Sequence, residues 1–346
     1  MNKLSVNLVV WNGAKYIPHL FASLRAQTFS DWELNILDNC STDGTVSVIQ
    51  RELKNNNQAA NVICNSENKG FAAGHNQLFR VSKAEYFLIL NQDMYLTADA
   101  LEKIIKFLDE DKTRSAVAPR LMKWNFLDID ARLEQSFTDL VDSVGLSVSR
   151  RRRISELHGG ESWSINECAD KKFLEVFGLS GALLAMRRDV AEKIQFRDGS
   201  LFDESYHSYK EDVDLAFRLR SAGFSSFVLL DTVVYHDRSA AQSKNASDVS
   251  AAGNKMKQSF FIKYYSYKNH LATLYKNEYW QNIILDFGPI LWYEARKFVY
   301  YLITQPSILM SWRALWKERK LLCAKRLEIT RKRTIGWREV RKWWKY

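Results

Sequence analysis

Tyr86-Phe87-Leu88-Ile89-Leu90-Asn91-Gln92-Asp93 reads as a short apolar strand with polar residues at its carboxyl end. The same pattern recurs on either side of it. Leu4–Val10, Glu33–Leu37 and Asn61–Cys64 read as strands before it, and Ala116–Ala118 starts another after it. Between them, Ala14–Ala26, about 43–53, about 72–81 and Asp99–Leu108 carry the helical period. Alternation at this spacing predicts right-handed βαβ units, hence an α/β fold with a mostly parallel sheet flanked by helices. Ligands of such sheets sit outside the carboxyl ends of the strands. Trp11-Asn12, Asp38-Asn39, Asn68 and Asn91-Gln92-Asp93 all fall there.

Residues 125–172 lack a clear period and read as a long excursion from the sheet, with a helix near 131–141 and a basic run at Arg150–Arg153. A strand-like stretch broken by Gly178 and Gly181 follows over Phe173–Met186. A helix is then expected over about 209–222, with Ser208 and Glu211 as a capping box and Gly223 as its C-terminal cap. Ser226–Tyr235 reads as a strand that ends at His236. Beyond Gln258 the chain turns helical, aromatic and basic, and seven of its eleven tryptophans lie at or beyond Trp280.

Of the net charge of +10, the segment from Arg313 to the end accounts for all: thirteen Lys/Arg against three Asp/Glu. The charge is therefore expected to belong to a tail rather than to the fold as a whole. The four cysteines have neither metal-ligand nor redox spacing, which suits a reducing compartment and small buried roles. Leu4–Trp11 is too short for an export signal. The most apolar later stretch, Ile283–Met310, carries Asp286, Glu294, Arg296 and Lys297 and is not expected to span a bilayer.

Three constellations could carry chemistry. Asp93, at a strand end, could hold a divalent ion against a diphosphate, because such ions prefer oxygen ligands. In Glu211-Asp212-Val213-Asp214, at a helix start, Asp212 or Glu211 could take the proton of an attacking hydroxyl, while Asp214 would complement the helix dipole. His236, closing an apolar strand, could be a further metal ligand as a neutral imidazole. Each has a bland reading as a turn former, a cap or a surface histidine. In Asn68–Asn76, two glycines open a helix after a strand, so backbone amides could approach a phosphate or a sugar hydroxyl. The glycine spacing is neither that of a dinucleotide fold nor that of a P-loop.

The order of these segments resembles family 2 glycosyltransferases of GT-A fold. Ser5–Gly13 is similar to their opening strand, and Ala26-Gln27-Thr28 and Asp38–Thr45 to their next two signatures. Asn68–Asn76, Val176–Ala182, Phe202-Asp203-Glu204 and Tyr209–Leu215 resemble the rhamnosyltransferase-like subgroup. The resemblance covers about 4–277. It implies a GT-A catalytic domain over 1–257, with a nucleotide-sugar half to about 120 and an acceptor half from about 121. A helical, basic, membrane-associating extension would follow over 258–346. The nucleotide-sugar would be met by Trp11, Asn12, Asp38, Asn39, Asn68, Gly70, Asn76 and Asn91. Asp93 and His236 would ligate Mg²⁺ or Mn²⁺, and Asp212 would be the general base, with Glu211 beside it. The usual Asp-x-Asp is Asn91-Gln92-Asp93 here, and Trp11 stands where Tyr or Phe is common.

The function so implied is inverting transfer of a sugar, rhamnose from dTDP-rhamnose first, to a hydroxyl of a lipid-linked surface glycan. The place would be the inner face of the cell membrane, on an anionic surface and with no nucleic acid involved. A sugar-phosphate nucleotidyltransferase would need a Gly-rich basic loop that Val9–Gly13 lacks. The basic, Trp-rich end also suits a non-catalytic glycosyltransferase-like module that binds nucleic acid or an anionic surface.

Overall fold

The computed structural model describes residues 2–129, 132–238 and 259–345. Four strands, β1 (Leu4–Val10), β2 (Trp32–Asp38), β3 (Asn61–Cys64) and β4 (Tyr86–Asn91), alternate with helices α1 (Ile17–Arg25), α2 (Thr45–Asn55) and α3 (Gly70–Val81). All pairings among these strands are parallel, in the order β4-β1-β2-β3. The apolar run at β4 serves both faces of the sheet. Tyr86, Leu88 and Leu90 join the core under α1 and α4 (Ala100–Glu110), while Phe87 and Ile89 join a second core beneath α3. A strand covered on both faces has no use for alternating polar residues. Helix α3 lies close against β1: a Cβ on Gly74 would sit 3.0 Å from Val9 Cγ1.

The sheet continues through β5 (Met94–Leu96), β6 (Ala116–Trp124), β7 (Phe137–Ser143), β10 (Phe173–Glu175), β11 (Leu183–Arg187) and β12 (Ser226–His236). Here the pairing is mixed. Strand β11 runs antiparallel between β4 and β6, and β12 pairs parallel with β6 but antiparallel with β5 and β10. Of the helix expected near 131–141 only one 3-10 turn forms, Leu133–Ser136; Phe137–Ser143 is strand β7, paired with β6, and residue 131 lies outside the described residues. Helices α5 (Arg188–Ile194) and α6 (Glu211–Ser221) cover the second core.

The C-terminal segment is helical, as expected: α7 (Phe260–Asn277), α8 (Trp280–Leu285), α9 (Phe287–Thr304), α10 (Met310–Lys332) and α11 (Trp337–Arg341). It then returns to the catalytic region. Strand β13 (Trp344–Lys345) pairs with β8 (Leu146–Ser149), which pairs with β9 (Ile154–Glu156).

The positive charge of this segment is not all displayed. Lys325 contacts Asp203, Arg341 contacts Asp286 at 2.7 and 2.8 Å, and Lys332, Arg326 and Arg333 donate to main-chain carbonyls. Arg152, from the basic run, is fully buried and pairs with Glu278 at 3.1 Å and Asp286 at 2.9 Å. The expectation that the charge belongs to a tail rather than to the fold is corrected: several of these cations are fasteners between the C-terminal segment and the rest of the chain.

Candidate active site

The carboxyl ends of β1, β2 and β4 meet, as the strand order requires. Gln92, directly after β4, brackets the end of β1: Trp11 N–H donates to its Oε1 at 2.8 Å, and its Nε2 donates to the Trp11 carbonyl at 3.0 Å. A Cβ on Gly13 would fall 2.3 Å from that Oε1, so a larger residue there would displace the Gln92 amide from this bracket. The Trp11 ring is left 52% exposed at the rim. Asn12 adopts φ 49° and accepts Thr42 N–H at 2.8 Å, tying the loop after β1 to the loop after β2.

Asp38 is buried. Its Oδ2 accepts Ser41 N–H at 3.0 Å, while Oδ1 is enclosed without a partner. An enclosed carboxylate oxygen with no donor is costly, and a base N–H would relieve it.

Other residues expected at the nucleotide-sugar turn inward. Asn39 is buried, donates to Gly70 O at 3.0 Å, and accepts from Lys69 N and Asn65 Nδ2 at 3.1 Å each. Asn76 is fully buried: it accepts Leu201 N and Phe202 N and donates to Phe202 O and Glu204 Oε1, all within 3.0 Å. With their hydrogen-bonding capacity filled from within, Asn39 and Asn76 shape the site and have little left for a ligand. Asn68 closes a turn onto Gly70 N at 2.8 Å. Gly70 has φ +83° and packs so tightly that a Cβ would meet His207 O at 2.4 Å. Asn91 N–H donates to Ala182 O at 2.9 Å, tying β4 to the segment before β11.

Asp93 and His236 are brought together by strand pairing, since His236 of β12 lies opposite Met94 of β5. Imidazole Nε2 stands 3.4 Å from Asp93 Oδ2, and Nδ1 stands 2.9 Å from Asp142 Oδ2 on β7. Burial disfavours the imidazolium, but the carboxylates on either side outweigh it and raise the His236 pKa to about 10. Beyond Asp142 the chain of charges continues. Arg238 Nε reaches Asp142 at 3.2 Å, and its other end reaches Glu156 at 2.9 Å. Burial works against the Asp142 carboxylate, yet Arg238 and His236 bring its pKa below the usual value. Glu156 is pushed up, chiefly by burial.

The residues present fit a divalent cation between Asp93 and His236 when it takes the place of the proton that the two carboxylates otherwise hold on the imidazole. One carboxylate oxygen and one imidazole nitrogen face each other, and a buried carboxylate fixes the far nitrogen, the usual support of a metal-binding histidine.

Asp212 opens α6. Its Oδ2 accepts Gly181 N–H at 3.1 Å and its Oδ1 accepts Val213 N–H at 2.7 Å. Gly181 leaves the room: a Cβ there would sit 3.3 Å from the Asp212 Cβ. Glu211 is 7% exposed with Oε2 unpartnered, and burial followed by the Asp212 charge raises its pKa to about 8.

The expected capping box is absent. Ser208 does not cap α6. The N-cap is Lys210, itself left-handed at φ 70°. His207 and Tyr209 also have positive φ, 58° and 72°. Each left-handed non-glycine residue costs about 1–2 kcal/mol, so the loop carrying Asp212 is held in shape from outside. Asp214, a candidate only for the helix dipole on sequence, is fully buried between Arg218 at 2.9 Å and Lys276 at 2.9 Å.

Asp142, Glu156 and Arg238 were not singled out in the sequence. Arg238 stands two residues after His236, but Asp142 and Glu156 lie in the segment without a clear period, and only strand pairing brings them in.

The profile of "Glycosyl transferase family 2" matches residues 5–195 of the chain. The chain is 30% identical over 113 residues to the poly(ribitol-phosphate) beta-N-acetylglucosaminyltransferase TarS of Staphylococcus aureus (strain Mu50), which is 32% of this chain and 19% of that one. The matched segments span less than half the length of most such relatives. In fold, it is similar to GalNAc-T7 solved with UDP, GalNAc and Mn²⁺ (TM-score 0.58, 12% identity, 80% of this chain and 48% of that one). It is also similar to the mannosyltransferase PcManGT of Pyrobaculum calidifontis solved with GDP-Man and Mn²⁺ (TM-score 0.50, 19% identity, 95% and 79%). Asp38, Asp93 and Asp142 lie inside the matched segment, while Asp212 and His236 lie beyond it. With more than half of its length matched, the chain belongs to glycosyltransferase family 2 and has the GT-A fold.

Proposed function

We propose that this glycosyltransferase transfers a sugar, with inversion, from a nucleoside-diphosphate donor to a hydroxyl of a lipid-linked surface glycan, with dTDP-rhamnose the first donor to test. One observation carries the reading: the Asp93–His236 pair is backed by Asp142, whose partner Arg238 lies within electrostatic reach of Asp212 on α6. Glu156 and Arg238 are electrostatically coupled to both Asp142 and Asp212. The unpartnered oxygen of Asp38 would accept a base N–H, and the exposed Trp11 ring would flank the nucleotide. Asp93 and His236 would hold Mn²⁺ or Mg²⁺, of which Mn²⁺ better tolerates an imidazole ligand. When bound, the cation supplies positive charge against the departing diphosphate. Asp212 takes the proton of the acceptor hydroxyl. The hydroxyl oxygen bonds to the anomeric carbon as the bond to the diphosphate breaks, so the configuration inverts and the nucleoside diphosphate leaves.

The place of action in this proposal is the cytoplasmic face of a membrane, on its surface. Helix α9 supports it. Of its 18 residues only Tyr301 is buried, and Leu291, Trp292, Val299 and Ile303 are each at least half exposed. Among the described residues, no helix is long and apolar enough to cross a membrane. An apolar face of this kind suits the headgroup boundary, and basic residues nearby add about 1 kcal/mol each on an anionic surface. Since α11 and β13 pack on the catalytic region, the lipid-facing part is narrowed to about 280–316.

The test is a melting-temperature screen of dTDP-rhamnose, UDP-GlcNAc, UDP-GalNAc and GDP-mannose with Mn²⁺ or Mg²⁺, because a ligand of the native state raises its stability. The anomeric configuration of the product would then be read by NMR. At least one donor should raise the melting temperature in a cation-dependent way, and Asp93→Ala should remove the cation's contribution. No shift with any donor, or a product of retained configuration, would count against the reading.

A further inference from the structure

We propose that Asn269, on the C-terminal helix α7, is a positioning residue for the catalytic base Asp212. It would act by holding the left-handed loop 206–210 through its side-chain amide. The inference rests on the proposed role of Asp212.

Asn269 is 0% exposed, and its Nδ2 stands 2.9 Å from Tyr206 O, 3.0 Å from Ser208 O and 2.8 Å from Tyr209 O. Two N–H groups thus serve three carbonyls of one short loop. That loop contains His207, Tyr209 and Lys210, all at positive φ, and it ends where α6 begins, two residues before Asp212. Chirality disfavours such a sequence of conformations unless the surroundings impose it.

The surroundings here come from two sides. On one, the amide N–H of Ala72 on α3 donates to His207 O at 3.2 Å. On the other, α7 contributes Asn269, Lys268 Nζ on Ser205 O at 3.0 Å, and Thr273 Oγ1 at 2.8 Å from the Tyr206 hydroxyl. The rings of Phe261 and Tyr265, also on α7, pack on His207. Among the described residues, only Asn269 reaches the carbonyls of both Ser208 and Tyr209, which sit between the fixed end of the loop and α6. Among the described residues the Asn269 oxygen has no hydrogen-bond partner, so the side chain acts here through its donors. A base displaced by even 1 Å can lose about 10²-fold in rate, while nucleotide and cation sites on β1, β2, β4 and β12 are untouched.

The experiment is a double-mutant cycle on the full chain, with Asn269→Ala, Asp212→Asn and the pair. Turnover is read as nucleoside diphosphate released from dTDP-rhamnose, or from whichever donor of the screen is turned over. Calorimetry with UDP or dTDP and Mn²⁺ reads binding. The expected result is a roughly 10- to 100-fold fall in kcat for Asn269→Ala, with nucleotide affinity within about twofold and no further loss when it is added to Asp212→Asn. A structural defect elsewhere would instead multiply with the Asp212 loss. If Asn269→Ala does not fold, Asn269→Gln, which keeps the donors but shifts them by one methylene, takes its place in the cycle and is held to the same pattern. Wild-type turnover in the folded variant, or an undiminished effect in the Asp212→Asn background, would overturn the inference and leave the role of Asp212 standing. Wild-type turnover in Asp212→Asn alone would remove that role and the inference with it.

Discussion

The half of the molecule built on β1 to β4 and the half built around α6 and α7 are held by different physics. Around β1 to β4 the core is aliphatic and aromatic, and its buried polar residues are mostly neutral, such as Ser5, Asn7 and Asn35 hydrogen-bonded to one another. Around α6 and α7 the interior contains charge. Asp203 is gripped by Lys276 and Lys325, Lys276 also holds Asp214, and Asp214 holds Arg218. A little further on, Arg152 sits between Glu278 and Asp286. Apolar packing is tolerant and non-directional. A buried ion pair is directional and strongly penalises loss of one partner. The first half therefore provides a stable platform, and the second a fixed geometry around Asp212.

The largest effect should come from Asp212→Asn, which divides the two halves functionally. Turnover should fall by about 10²–10⁴-fold, while calorimetry finds UDP or dTDP binding unchanged. Next is Lys276→Ala, which leaves Asp203 and Asp214 buried without their shared cation. It should cost about 3–5 kcal/mol in denaturant unfolding. Both carboxylates lie below their ordinary pKa because Lys276 and its neighbouring cations outweigh the cost of burial. Their contribution is thus present at neutral pH and lost as pH falls below about 4 toward their folded pKa values. Unfolding midpoints of the wild type and Lys276→Ala should accordingly converge in acid. An equal gap at pH 3 and pH 7 would show that packing, not charge, holds this half.

Glu211 works in the opposite sense. Its raised pKa of about 8 means that wild-type stability declines as pH rises from about 4.5 toward 8. The slope is about 1.4 kcal/mol per pH unit at most. Glu211→Gln should flatten that decline, so the variant gains on the wild type at pH 8 relative to pH 5. Parallel stability curves would exclude a buried, protonated Glu211.

The smallest effect on stability is expected from Leu291→Ser with Ile303→Ser on the outer face of α9, within about 0.5 kcal/mol. The same pair should weaken binding to anionic vesicles in sedimentation. If it destabilises the fold and leaves vesicle binding unchanged, α9 is packed against protein rather than lipid.

What could be read from the sequence follows the same division. Strands β1 to β4 declare themselves by local apolar runs, and Asp38 and Asp93 lie at their carboxyl ends, where ligands of such a sheet gather. Asn39 and Asn76 stood in equally suggestive places, but their partners, Asn65, Leu201 and Phe202, are set by the folded chain. Residues 125–172 carry no clear period, so nothing local marks β7 as a strand; its pairing partner on β6 is what makes it one. The Ser208/Glu211 pattern matched a capping box, yet α7 imposes a left-handed Lys210 that no local signal announces. Charge was misplaced for a similar reason. Lys325 and Arg341 look like tail residues until Asp203 and Asp286 are seen beside them.

Strand β13 closes onto β8 across about 200 residues of chain, a contact of very high sequence separation and correspondingly slow to form. During synthesis at about 5–20 residues per second, β8 leaves the ribosome some 10–40 s before its partner exists. In that interval Leu146 and Val148, together with Phe177 and Phe217, lack the cover that Trp344 later provides. The catalytic region is therefore made with an unfinished seam. The exposed face of α9 is already outside the ribosome when the seam is finally shut, so whatever covers α9 can meet it before the seam closes.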